Sequence, residues 1–298
     1  MKYISQYSKY KKNINRIESK FILEEIIEKC LMCLGDKMPL KRLKYTVDYC
    51  RANPIGFLII LILIGSINFL NSYADAHTIK YKLIFYPMAF LVTLFMYGYG
   101  LAITKDTIRN GEKLPIIKLK QCTVFGIKAS IMITIYSLIE GFLLYDLSTR
   151  FYLPEFHLRF ALSHLIETLK LYYWHNPVST IEFIIVSIMV TYIVAFFMEI
   201  SLARLADGGR LLGAFNILSI KRCIDTIGWK HYTADYTKIM LSIAILAYLQ
   251  YGIDMLGFFN WIFDLIIGLL IFTIEFVGIG TIYQDYKIKK VKRVIEID

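Results

Sequence analysis

Residues 55–73 read IGFLIILILIGSINFLNSY. No charged side chain interrupts the run. A helix of about 20 such residues is long enough to cross the hydrocarbon core of a bilayer, and only a helix lets an isolated segment satisfy its own backbone there. Five further runs have the same character: 83–104, 123–145, 180–203, 239–259 and 261–283, the last two separated by a tight turn around Asn260. The sequence therefore predicts an all-α polytopic membrane protein with six transmembrane helices in three hairpins, with amphipathic interfacial helices outside them.

Composition agrees. Apolar and aromatic residues make up 57% of the 298 positions and charged residues 19%, yet the net charge is +10. That is too little polar surface to cover a soluble globule, where charged residues reach about 25%. It also excludes a disordered chain. Five cysteines in this length make no disulfide framework. The first apolar run begins too late to be a cleaved signal, so it is expected to stay and to target the chain to the membrane.

The basic residues are sorted by side. Segments before span one, between spans two and three, between spans four and five, and after span six hold 28 Lys and Arg; the alternate links hold 5. Positive charge stays on the cytoplasmic side, so both termini are expected there. Tyr and Trp gather at the span ends, where amphipathic rings meet the headgroups. Three regions follow: residues 1–42, a cytoplasmic piece with an amphipathic helix over 14–34; residues 43–283, the six-span domain; and residues 284–298, a basic cytoplasmic tail. A further amphipathic helix is predicted over 211–227, ended by Gly228-Trp229, and another over 155–174 in an outer link. The ends of spans two, four and six (FMYGYGLA, FMEISLAR, TIEFVGIG) are loosely alike, as a repeated hairpin would make them.

Six acids fall inside the spans: Glu140, Glu182, Glu199, Asp254, Asp264 and Glu275. An ionisable group in hydrocarbon costs a few kcal/mol, so each needs a reason. Glu140, Glu182, Asp254 and Asp264 lie near the outer boundary, within reach of headgroups or water. Glu199 and Glu275 lie deeper, at equivalent places toward the inner ends of alternate spans. Lys128 is the only base in a span and a candidate partner. Two readings fit this pair: it lines a proton, cation or lipid-headgroup site, or it joins helices as a neutral or paired carboxyl. Cys30-x-x-Cys33 has metal-like spacing but lacks a second pair, and His157, His164 and His175 read as solvated or interfacial. No cofactor motif is present, and no nucleophile elbow, phosphate loop or zinc-protease signature.

One pattern is specific beyond apolar character. Tyr97-Gly98-Tyr99-Gly100, Thr107 to Gly111 with Arg109, Leu114-Pro115, Gly126-Ile127-Lys128 and Tyr136 are joined by Gly208-Gly209, Ala214-Phe215, Gly228-Trp229 and Tyr232. Over roughly residues 43–283 the chain resembles the multi-pass membrane family of unknown function numbered four thousand and thirteen. The resemblance implies an archaeal plasma-membrane protein and no activity. Its loop positions include Arg109, Gly111, Pro115, Gly209, Phe215 and Trp229. The expected function is a non-enzymatic membrane component that organises partners or lipids; the alternative is a transporter or channel for a small solute, ion or lipid that uses Glu199 and Glu275. A lipid-acting enzyme would need more converging polar groups than the spans offer. Anionic inner-leaflet lipid, a protein partner or a second copy through the spans suit the features as partners. Nucleic acid does not, since orientation already explains the basic charge.

Overall fold

The structure, a computed structural model, describes residues 48–150, 177–256 and 260–295. Two compact units divide the chain, residues 1–45 and 46–298, and the described residues lie in the second. The helices expected over 14–34 and 155–174, the Cys30–Cys33 pair, His157, His164, His175 and the Asp254 side chain lie outside the described residues.

The described chain is all-helical: α1 Pro54–Ala76, α2 Ile79–Ile108, α3 Leu119–Arg150, α4 Pro177–Ala206, α5 Leu211–Ala214, α6 Ile217–Ile227, α7 Trp229–Leu256 and α8 Asn260–Ile295. Six of these, all but α5 and α6, are long and apolar enough to cross a membrane. The expected spans are all present, but several helices outrun their apolar windows. Helix α7 starts ten residues before the expected span at 239, because Gly228, at φ 94, turns the chain and a new helix begins directly at Trp229. Helix α8 runs past the expected span end at 283 and through the basic stretch to Ile295. The single helix expected over 211–227 is two, because the Asn216 side chain accepts from Ser219 N at 3.1 Å and restarts the helix as an N-cap.

The packing is cyclic. Helices α2, α4 and α8 touch one another. Each remaining span sits against two of them: α1 on α2 and α8, and α3 on α4 and α2. Helix α7 packs on α8 and reaches α4 through side chains. The Tyr232 hydroxyl donates to Phe196 O at 2.6 Å and Tyr192 bonds Thr237 at 2.8 Å. In every hairpin the first helix thus packs on its own partner and on the second helix of the preceding hairpin. Burial follows this order. Residues 98–104 of α2, 199–203 of α4 and 276–280 of α8 are buried without interruption, as a helix enclosed on all sides must be. These runs lie in the halves nearer the basic links. Much of the remaining span surface is aliphatic and exposed, for example Leu58, Leu91, Leu138 and Ile188, as a lipid-facing surface requires.

Close backbone approach sets the α2–α3 contact. A Cβ on Gly98 would stand 1.7 Å from Cys122 O, and one on Gly126 would stand 2.0 Å from Leu94 O. Without side chains at these two positions the helices meet backbone to backbone, the usual device where water supplies no driving force. Between α2 and α8, the Thr104 hydroxyl donates to Phe276 O at 2.9 Å.

Candidate functional site

The three similar sequence ends align so that Tyr97, Glu199 and Glu275 share one position, at the start of the three buried runs. The fold brings these three together. Glu199 and Glu275 interact electrostatically, and Tyr97 feels both. Tyr232 and Tyr236 of α7 add further hydroxyls near Glu199. Glu199 is only 7% exposed, and among the described residues its Oε2 has no hydrogen-bond partner; the Tyr236 hydroxyl, also buried, has none either. Glu275 and Tyr97 are half-buried. An unpartnered polar atom in a low-dielectric interior is costly, and binding a proton, a cation or a donor group is what lowers that cost.

Arg204 lies five residues beyond Glu199 toward the basic end, with a buried Nη1 that has no partner among the described residues. It stands near Tyr136, which bonds Ser201 at 2.9 Å, and near Cys223, Tyr283 and Tyr286. Burial pushes the Cys223 thiol up, against the opposing pull of Arg204, a Tyr286 hydrogen bond and Lys290. Lys128, half-buried on α3, makes no ion pair with either acid among the described residues. The groups placed around the acids are tyrosines. Tyr97 went unselected because tyrosine is ordinary in a span; only its alignment with the two glutamates marks it.

Two of the acids near the less basic end have ordinary partners, and a third is exposed. Glu140 accepts from Thr191 at 2.6 Å across α3 and α4, Asp264 accepts from Gln250 at 2.9 Å across α7 and α8, and Glu182 is exposed.

The loop positions of the family pattern shape two turns. After α2, Asn110 has φ 63, and Gly111 N donates to Asp106 O at 2.9 Å. A Cβ on Gly111 would stand 1.7 Å from the Asp106 carboxylate, which instead accepts from the Tyr49 hydroxyl at 2.8 Å. Asn53 donates to Leu114 O at 2.8 Å and Tyr99 to Pro115 O at 3.0 Å, so the link is tied to α1 and α2. Arg109 ends α2 and is exposed. After α4, Gly209 N donates to Arg204 O at 3.0 Å, a close that a side chain there would crowd. Phe215 stacks on Tyr136, while Trp229 donates to Asp225 at 2.7 Å and stacks on Phe196.

Lys287 of α8 pairs with Asp207 at the end of α4, and Gln284 donates to Asn110 at the end of α2. These bonds close the basic end between the three inner helices.

Six apolar helices of spanning length, packed as three hairpins around a central polar contact, define an integral membrane protein of the helical multi-pass class. The chain belongs to the family described as protein of unknown function, DUF4013, whose model matches residues 83–259. The match is narrower than the resemblance read over 43–283: it includes Tyr97 and Glu199 and stops before Glu275. No curated protein and no solved structure matches the chain.

Proposed function

We propose that the protein is a membrane carrier or channel for protons or a small inorganic cation, with Glu199 and Glu275 as the binding carboxylates and Tyr97 facing them. One observation carries this reading: a buried carboxylate oxygen without a partner among the described residues, where all three inner helices meet. Binding a proton or a cation would offset the cost of burying that oxygen. The role needs no bond-breaking chemistry, so the protein is read as a non-enzyme. It acts in the plasma membrane of an archaeal cell, with both termini in the cytoplasm, the orientation the Lys and Arg distribution favours.

The test is ion flux through the full chain in liposomes holding a pH-sensitive dye, under an imposed potassium diffusion potential, repeated with sodium gradients. Wild-type vesicles are expected to pass protons or sodium faster than protein-free vesicles, and Glu199→Gln with Glu275→Gln to abolish the excess. Equal flux in all three preparations rejects the carrier reading.

A second reading, a component that organises lipid or partners, rests on a different observation. Leu212, Ile217 and Leu218 are 85%, 72% and 67% exposed beside Arg210, Lys221 and Arg222. Aliphatic and basic groups together suit the headgroup layer of an anionic leaflet. This surface is expected to survive the glutamine substitutions unchanged.

A further inference from the structure

A second polar cluster stands between α7 and α8. His231 and Asp235 are one turn apart on α7, and Asp285 faces them from α8. One nitrogen and two carboxylate oxygens, one from each residue, lie within 4.8 Å of one another. His231 Nε2 is 3.5 Å from Asp235 Oδ2 and 3.5 Å from Asp285 Oδ2. Asp235 is buried, while His231 and Asp285 border solvent. Lys238 Nζ meets Asp235 Oδ1 at 3.0 Å, so its other oxygen is the one turned to His231.

The two spacings distinguish hydrogen bonding from ligation. A charge-assisted N–H···O bond closes to about 2.7–2.9 Å, so at 3.5 Å the imidazole is bonded well to neither acid. Two ligands each about 2.1 Å from one tetrahedral ion stand roughly 3.4 Å apart. Two carboxylates this close also repel unless a positive charge lies between them. Lys238 bonds Oδ1 of Asp235, whereas His231 stands nearer Oδ2.

We propose that His231, Asp235 and Asp285 form a binding site for one divalent transition-metal ion. One imidazole with two carboxylates is a mixed nitrogen and oxygen set, suited to zinc, manganese or ferrous iron rather than to calcium, which prefers oxygen alone. Three protein ligands leave a position for water, and the border with solvent supplies an entry path. The ion would join α7 to α8 at the basic end. The site is separate from Glu199 and Glu275 and stands or falls independently of the carrier reading.

The experiment is equilibrium dialysis of the full chain in mild detergent against low micromolar Zn²⁺, with bound metal measured by elemental analysis. One zinc per chain is expected. His231→Ala and Asp285→Asn should each weaken binding about tenfold or more, and Glu199→Gln should leave it unchanged. Absence of bound zinc, or binding in both variants as tight as in the wild type, overturns the site. If the variants aggregate, zinc-edge X-ray absorption on the wild-type protein decides. A nitrogen and oxygen shell with an imidazole signature supports the site, and a sulfur shell overturns it by assigning the metal to cysteines.

Discussion

Cys50 sits just before α1, buried at 4% exposure and with Thr273 as a hydrogen-bond partner. Burial pushes its thiol from 9.0 up to about 12, and the bond to Thr273 offsets this only in part. The folded chain therefore holds this proton more tightly than the unfolded chain. The resulting stability is fully present below pH 9 and is lost as pH rises toward 12. Thermal midpoints measured in detergent across this range should fall more steeply for the wild type than for Cys50→Ala. Parallel profiles would show that the thiol contributes nothing. Glu199 shows where residue-scale reading ends. Its depth in span four was readable from the sequence, and so was its cost. Its unpartnered oxygen was not, because that depends on which side chains three other helices bring to it.

At the scale of an element, α1 shows how much one cap holds. Pro54 opens the helix, and Asn53 caps it by accepting from Gly56 N at 3.1 Å while donating to Leu114 O at 2.8 Å. One side chain thus starts a span and ties it to the link after α2. Asn53→Ala should cost about 2 kcal/mol, from a lost cap and an orphaned carbonyl. A thermal or denaturant titration in detergent reads this, and an unchanged midpoint would mean that water replaces both bonds freely. The apolar windows located the spans but not the helix ends. Hydropathy stops where charge begins, at Lys238 and Asp285, whereas the backbone continues as helix until something turns it. In α7 that device is Gly228.

At the scale of the molecule, the order of packing matters more than any single contact. Three hairpins each place their second helix inward and lay their first helix against the preceding hairpin. Such a cycle brings equivalent positions together, which is why Tyr97, Glu199 and Glu275 meet although 178 residues separate the first from the last. The likeness of FMYGYGLA, FMEISLAR and TIEFVGIG was visible beforehand, but apolar strings resemble one another by composition and carry no contact information. Orientation is also a property of the whole chain. With native cysteines replaced, Lys82→Cys should react with a membrane-impermeant maleimide in intact cells, and Lys113→Cys only after permeabilisation. The opposite pattern would reverse the orientation and place the basic end outside.

The sequence by itself determined the solvent of this protein. Six long apolar runs, 28 bases on one set of links and glycines and prolines at the turns follow from local chemistry: transfer of side chains to lipid, charge retention on one side, and backbone geometry. The family pattern in the links was legible for the same reason, since Gly111 and Gly209 answer to atoms only five residues away. Tertiary structure alone decided what each polar residue meets. Lys128 pairs with neither glutamate, Tyr97 joins them, and Asp285 crosses to His231 and Asp235 from a different helix. A helix rotated by one residue, about 100°, would part each of these groups from its neighbours while leaving the hydropathy of every span unchanged.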